Sequence, residues 1–226
     1  ESLDSAEQTM GMLRRELPSL EAADFFTDEG LSLVLEYLDR EPPLPARSPA
    51  YVILECGART DPTDELAAAL EAAGIEDAVV ADDSASRERL WQLRESHSDA
   101  IAGQGVPHKM DVGVPLHRLA EFARRVPRLV AGHAPGARTI LFGHLGDGNV
   151  HVNVLGLGPE DQTVDVAVLE LAAECGGTIS AEHGVGVAKA AHLGLVRGKG
   201  ELEAMRAIKR VLDPQNILNP GAVLAR

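Results

Sequence analysis

The sequence predicts an α+β fold in which helices cover an antiparallel sheet, mainly on one side. Several segments repeat apolar residues at helical spacing, and short runs that alternate apolar and polar residues lie between them. Two of the alternating runs are joined by Asp147-Gly148, a pair of residues typical of a β-hairpin turn. With 226 residues, of which 45% are hydrophobic, the chain is long enough to bury a substantial core.

The predicted helices follow from periodic apolar positions and from residues that begin and end helices. Asp61-Pro62 is a typical helix start, and Gly74 is a typical helix end. Pro127 is expected to kink or end the helix whose apolar face includes Val126. In chain order, we predict helices at residues 3–17, 29–40, 61–74, 86–101, 116–126, 163–174, 187–196 and 200–212.

The predicted strands are short apolar or alternating runs between turn residues. They cover residues 51–56, 78–81, 109–114, 138–145 and 149–155. In the third of these strands, alternate residues from Met110 onward are expected to face the core. The segment 24–26 is interpreted as a connection between two helices, and the proline-rich stretch 42–49 as a surface loop.

Charge and composition exclude several classes of function. The formal net charge of −14 disfavours binding to nucleic acid and to anionic membrane surfaces. The sequence has no apolar run near the ~18 residues needed to cross a bilayer, and no visible signal peptide. Cys56 and Cys175 are expected to be buried thiols in a reducing compartment, with a disulfide left open. We therefore expect a cytoplasmic protein that is not integral to a membrane.

The stretch 143–153 places two histidines and two asparagines around the predicted turn. A type I′ turn centred on Asp147 and Gly148 would pair His144 directly with His151. Side chains alternate between the two faces along each strand, and directly paired residues share a face. In this hairpin the residues of one face are polar and those of the other are apolar. The polar face would carry His144, Asn149, His151 and Asn153. This pattern predicts a polar site on a sheet whose opposite face is buried, with Asn149 supporting the turn.

A second polar cluster, residues 180–186, adds Glu182 and His183. Two neutral imidazoles and one carboxylate form a three-ligand set with open coordination positions, as in catalytic metal sites. His144, His151 and Glu182 are therefore candidate ligands for a divalent cation, with zinc as the first choice. The residues alone also fit a flavin-independent 2-His-1-carboxylate metalloenzyme, a non-catalytic metal-binding module, or a hydrogen-bonded histidine pair without a metal.

Three motifs carry a family resemblance: GHLGDGNVHVN at 143–153, SAEHGVG at 180–186 and DPQNILNPG at 213–221. Together they resemble the C-terminal domain of FAD-linked oxidases. These proteins include the D-2-hydroxyacid dehydrogenases of the vanillyl-alcohol-oxidase superfamily, which act on substrates such as D-lactate, glycolate and D-2-hydroxyglutarate. The resemblance covers residues 1–226 and implies a ferredoxin-like cap that binds substrate and metal. It also implies that an N-terminal FAD-binding domain, absent from this sequence, holds most of the FAD.

The resemblance also implies a substrate-binding set. Arg94, Ser98 and Lys109 match the family's carboxylate site, although Ser98 stands where the hydroxyglutarate enzymes are expected to have threonine. On the predicted helix 86–101, Arg94 and Ser98 would share a face. From the residues alone, the preferred interpretation of Arg94 is a solvated arginine beside a helix-terminal serine. Asn153 is expected to hydrogen-bond the substrate, and Asn219 to approach the flavin.

The resemblance further implies a reaction and its partners. His183 is expected to be the catalytic base and to contact the substrate, taking the hydroxyl proton while a hydride passes to FAD. The sequence is thus interpreted as the substrate- and metal-binding portion of an FAD-dependent D-2-hydroxyacid dehydrogenase, inactive by itself. The expected partners are a small D-2-hydroxyacid, the N-terminal FAD-binding domain and an electron acceptor such as electron-transfer flavoprotein or a quinone. A homodimer is left open.

Overall fold

The computed structural model describes residues 3–59, 61–75 and 77–225. Five strands form one antiparallel sheet in the order β2-β1-β4-β5-β3. They are β1 Leu20–Thr27, β2 Ala50–Cys56, β3 His108–Gly113, β4 Arg138–His144 and β5 Asn149–Leu155. The predicted class, an antiparallel sheet with helices packed on it, is confirmed.

Within the described residues, the helices are α1 Leu3–Glu16, α2 Asp28–Leu38, α3 Thr63–Ala72, α4 Ser84–Glu95, α5 His97–Gln104, α6 Leu116–His133, α7 Thr163–Glu174, α8 Gly186–Lys189 and α9 Lys199–Leu212, with a 3₁₀ helix at Ala190–Leu195. Helices lie against both faces of the sheet. Phe25 and Val152 pack under α1, α6 and α7, whereas Phe26 and Ile140 pack under α2, α4 and α5. The covering is therefore two-sided, although the sequence predicted helices mainly on one side.

Strand β1 is the main element that the sequence analysis missed. The segment 24–26 was interpreted as a connection, but it lies in β1, between β2 and β4. Phe25 and Phe26 are adjacent in sequence and buried in different clusters. A strand covered on both faces loses the alternation of apolar and polar residues by which strands are recognised.

Two other predicted elements are wrong. Residues 78–81 form no strand, and Val80 in this segment is exposed. The predicted helix 86–101 is divided at Ser96, whose ψ of −3° departs from helical values. The division turns the next residue, His97, into the core between two phenylalanines. Arg94 and Ser98 consequently lie on different helices.

Pro127 does not end helix α6, which continues to His133. Proline lacks the N–H that would bond to the carbonyl four residues earlier, so it weakens the helix locally. Buried side chains on both sides of it, including Phe122 and Val130, hold α6 against the sheet. Burial of this apolar face outweighs the local loss.

Candidate metal and substrate site

The β4–β5 hairpin carries the predicted histidines in a different register from the one expected. His144 pairs with Asn149, and His151 pairs with Phe142. The predicted direct pairing of His144 with His151 is therefore wrong, and the loop has four residues instead of two. The difference is two residues, which preserves the alternation of faces. His144, Asn149, His151 and Asn153 thus share one face, as predicted.

Contacts from distant segments hold the longer loop in place. The N–H of Gly146 donates to the carbonyl of Ala23 in β1, and Arg14 donates to the carbonyl of Gly146. The side chain of Asp147 accepts from the N–H of Asn149. The turn is therefore supported by Asp147. The side-chain N and O of Asn149 are buried and have no hydrogen-bond partner among the described residues.

Each hairpin histidine has a buried carboxylate behind its ring. His144 Nδ1 lies 2.8 Å from Asp24 Oδ1, and His151 Nδ1 lies 3.5 Å from Asp111 Oδ1. On the other side of the rings, the two Nε2 atoms lie 3.2 Å and 3.8 Å from the carboxylate oxygens of Glu182. Carboxylates at Nδ1 orient imidazoles so that Nε2 is available to a metal. The three predicted ligands are thus brought together.

Asp111 also fixes the loop that carries Glu182 and His183. Its Oδ2 accepts from the backbone N–H groups of Ala181, Glu182 and His183 at 2.8 to 3.1 Å. Burial alone would raise the pKa of Asp111, but these donors offset burial and lower it. The ionised carboxylate therefore connects strand β3 to the 180–186 loop.

Four residues of this region, Asp111, His151, Glu182 and His183, have ligand atoms that all lie within 4.8 Å of one another. The His183 ring stacks on the His151 ring with centroids 5.7 Å apart, and His183 is exposed. Burial lowers the pKa of His151, which favours the neutral ring that a metal requires. His144 is not in this group of four, but it contacts Glu182.

Arg94 enters the same site from the end of α4. Its Nε lies 2.9 Å from Asp24 Oδ2, and its guanidinium lies over the Phe142 ring, 4.7 Å from the centroid. Burial lowers the pKa of Arg94, while the charges of Asp24 and Glu182 act in the opposite direction. A guanidinium held over an apolar ring is suited to a carboxylate, which its planar fork can bind through two hydrogen bonds.

The other predicted substrate residues are placed less closely. Asn153 is buried on the site face, and Lys109 is its partner across β3 and β5 but is exposed. Ser98 is exposed on α5, whereas Arg94 lies near the end of α4. Asn219 is exposed in the C-terminal segment.

Asp24 and Asp111 are the site residues that the sequence analysis missed. Both are buried carboxylates, and buried carboxylates are rare unless they are paired. A signal was present for each, because Asp24 stands in the apolar run AADFF and Asp111 between Met110 and Val112. The sequence did not show which residues pair with these carboxylates, because the partners lie far away along the chain.

Comparison with known proteins defines the class. Residues 1–223 match the family described as "FAD linked oxidases, C-terminal domain", and the chain belongs to this family. It is 35% identical over 219 residues to D-2-hydroxyglutarate dehydrogenase of Stutzerimonas stutzeri, covering 91% of this chain and 47% of that protein. It is 36% identical over 233 residues to the D-2-hydroxyglutarate dehydrogenase of Xanthomonas citri pv. viticola, covering 97% and 49%.

More distant relatives agree with this class. The mitochondrial D-2-hydroxyglutarate dehydrogenase of Bos taurus is 33% identical and covers 91% of this chain and 39% of its own length. The chain thus spans about half, or less, of the length of these relatives. A 4-ethylphenol oxidase from Gulosibacter chungangensis, solved as an isoeugenol complex, has the same fold, with a TM-score of 0.65 and 15% identity. That alignment covers 99% of this chain and 52% of the oxidase. In the described residues, no helix is long and apolar enough to span a membrane.

Proposed function

We propose that this chain is the substrate- and metal-binding portion of a flavin-dependent dehydrogenase that oxidises a D-2-hydroxyacid to the 2-oxoacid. The observation that carries the proposal is the convergence of His144, His151 and Glu182 beside Arg94, whose side chain is largely buried. Family membership and relatives named D-2-hydroxyglutarate dehydrogenase support the reaction class.

The donor set fits a divalent cation, for which zinc is our first choice. His144 and His151 offer Nε2 atoms backed by carboxylates, and Glu182 offers two oxygens. Two imidazoles and one carboxylate leave coordination positions for a substrate, as in catalytic zinc sites. When bound, the cation supplies Lewis-acid polarisation of the substrate hydroxyl and a carboxylate oxygen.

The chain's own residues account for orientation and proton transfer. Arg94 binds a substrate carboxylate through its terminal nitrogens, because Asp24 occupies its Nε side. His183 takes the proton of the α-hydroxyl group, with Asn153 as a hydrogen-bond partner of the substrate. Ser98 and Lys109 complete the anion site at its exposed side. When bound, FAD supplies the two-electron acceptor for the hydride at C2.

An FAD-binding domain needs a surface on which to dock, and the C-terminal segment offers one. Helix α9 has no buried residue, and apolar side chains on it and after it are exposed: Ile208, Val211, Leu212, Ile217 and Leu218. Patches of this kind mark interaction sites. We propose that an N-terminal FAD-binding domain covers this α9 surface, with Asn219 near the flavin. The relatives' greater length supports this occupant.

Metal content tests the first half of the proposal. Wild-type protein is expected to retain one equivalent of zinc after gel filtration, whereas His144→Ala and His151→Ala lose it, because each removes one of three ligands. His133→Ala is the matched control, since His133 is exposed at the end of α6. If atomic absorption shows an unchanged zinc content in both site variants, the proposed metal site is wrong.

Flavin reduction tests the second half. In the chain joined to its FAD-binding domain, a D-2-hydroxyacid is expected to bleach the flavin absorbance under anaerobic conditions. The L-enantiomer is expected to leave the absorbance unchanged. An artificial electron acceptor then allows a screen of D-2-hydroxyacids. Hydrolysis or oxygen consumption without flavin would instead support the 2-His-1-carboxylate metalloenzyme. The isolated chain is expected to bind FAD poorly, so stoichiometric binding by residues 1–226 would contradict the domain assignment.

We place the protein in the cytoplasm of a bacterial-type cell, with electron-transfer flavoprotein or a quinone as the electron acceptor. The bacterial relatives support this location. The plant and animal relatives are named as mitochondrial, so the same chemistry is compatible with an organelle. Fractionation of the source cells and reduction of each purified acceptor in turn are the corresponding measurements.

A further inference from the structure

We infer that Asp24 is a positioning residue that holds His144 and Arg94 together as one unit. Asp24 Oδ1 lies 2.8 Å from His144 Nδ1, and Asp24 Oδ2 lies 2.9 Å from Arg94 Nε. The residue is 5% exposed, so both oxygens are shielded from competing water. The inference deepens the proposed function, and it rests on that function for the roles of His144 and Arg94.

The backbone fixes the Asp24 carboxylate before any ligand arrives. Asp24 lies directly opposite His144 in the pairing of β1 with β4, so their side chains emerge on the same face. Phe25 and Phe26 follow it and are buried on the two faces of the sheet. Strand β1 therefore cannot slide or twist without unpacking two aromatic side chains.

For His144, the consequence is a fixed tautomer. The Asp24 carboxylate can only accept a hydrogen bond, so His144 Nδ1 carries the proton. In the neutral ring the lone pair is then on Nε2, the atom that lies 3.2 Å from a carboxylate oxygen of Glu182, the third proposed ligand. A metal needs this lone pair, and loss of such a partner typically weakens metal binding roughly 10–100-fold.

For Arg94, the consequence is a fixed direction. The ion pair at Nε and the Phe142 ring beneath the guanidinium constrain its plane. An arginine fork that is already oriented loses less side-chain entropy when it binds an anion. Asp24 thereby sets the position of the anion-binding group relative to the metal-binding group.

The test is Asp24→Asn, with Asp28→Asn as the matched control. Asp28 also pairs with an arginine, Arg47, at 2.7 Å, but it lies outside the site. In Asp24→Asn we expect zinc affinity, measured by competition with a chelator, to fall roughly 10–100-fold. We also expect nitrogen NMR of the metal-free protein, recorded at a pH where the His144 ring is neutral, to show protonation at Nδ1 in wild type and a mixture of tautomers in Asp24→Asn. The control is expected to match wild type in both measurements.

Substrate kinetics test the Arg94 side of the unit. In the flavin-loaded enzyme, Asp24→Asn is expected to raise KM for the hydroxyacid, and Asp28→Asn is not. Arg94→Gln is expected to raise KM while leaving the His144 tautomer unchanged, which separates the two partners of Asp24.

Three results distinguish the inference from the proposed function. A folded Asp24→Asn protein with wild-type zinc affinity and an unchanged His144 tautomer would overturn the inference. If the variant does not fold, the wild-type spectrum decides, because a neutral His144 protonated at Nε2 is incompatible with it. A wild-type protein that binds no zinc would instead contradict the proposed metal site. The NMR measurement of the His144 tautomer would still test the role of Asp24 independently.

Discussion

His97 is a buried histidine that lies outside the proposed metal and substrate site. Its ring lies between Phe26 and Phe142, with centroids 5.1 Å and 4.9 Å away, and Nδ1 is 3.0 Å from the carbonyl oxygen of Arg94. Burial lowers the pKa of His97 to about 4, so the ring is neutral in the folded protein.

This burial predicts a pH-dependent stability. The unfolded chain, with a His97 pKa near 6.5, binds the proton more readily than the folded chain does. The contribution is fully present above about pH 6.5 and is lost as the pH falls to about 4, a change of about 3 kcal/mol. Urea unfolding across this window is expected to show a smaller pH dependence in His97→Gln than in wild type. Equal slopes in the two proteins would contradict the prediction.

At the residue scale, sequence predicted the polar face of the hairpin but not the carboxylates behind it. The polar face follows from the alternation of side chains along each strand. A shift of the strand register by two residues leaves each side chain on the same face. Asp24 meets His144 across 120 positions of the chain, and no local pattern contains that pairing. Arg94 was assigned to the site by resemblance, and the structure brings it to Asp24, although the helix on which it was predicted is broken at Ser96.

At the element scale, the hairpin loop depends on one close approach. Gly148 has φ +77°, and a Cβ at this position would lie 2.0 Å from the carbonyl oxygen of Val114. The N–H of Val114 donates to the carbonyl of Gly148, so the two backbones are in direct contact. Only glycine allows this approach, which joins the hairpin to the segment after β3.

Gly148→Ala is therefore expected to destabilise the protein by about 2 kcal/mol or more, because it combines backbone strain with a steric clash. Gly146→Ala in the same loop is the matched control, since a Cβ there meets nothing within 4 Å. Chemical denaturation of the two variants measures the difference. Equal losses of unfolding free energy would show that the loop relaxes freely around Gly148.

Helix α9, which has strong helical periodicity, agrees to within one residue with its predicted bounds 200–212, and helix α7 has its predicted bounds 163–174. The errors have a common physical cause, which is that tertiary packing overrides local pattern. Strand β1 lacks alternation because both of its faces are buried. The valine-rich segment 78–81 has strand-like composition, but it has no ladder partner within the described residues.

At the scale of the whole molecule, the proposed docking of an FAD-binding domain on the exposed α9 surface makes a testable prediction. In the chain joined to its FAD-binding domain, the double variant Val211→Ser/Leu212→Ser is expected to retain less FAD, because it removes apolar contact area. Val211 and Leu212 are 79% and 74% exposed in this chain, so their loss should leave its own fold intact. Flavin content after dialysis and the melting temperature of the isolated chain measure the two effects.

Arg206→Ser on the same helix is the control for that prediction, since Arg206 is exposed and polar. It is expected to retain FAD like wild type. If both variants lose flavin equally, α9 responds to any substitution and the apolar surface is not the interface. If neither loses flavin, the FAD-binding domain lies elsewhere.

The sheet order has a further consequence for folding kinetics. His144 and His151 come from one hairpin and can meet early, whereas Asp24 and Glu182 come from distant parts of the chain. Contacts between residues far apart in sequence form slowly, because the chain loses loop-closure entropy before these contacts can stabilise the fold. Under the proposed function, a cation bound by the two histidines and Glu182 would be held fully only after β1 has entered between β2 and β4 and brought Asp24 to His144. The rate of metal uptake during refolding would therefore report closure of the sheet.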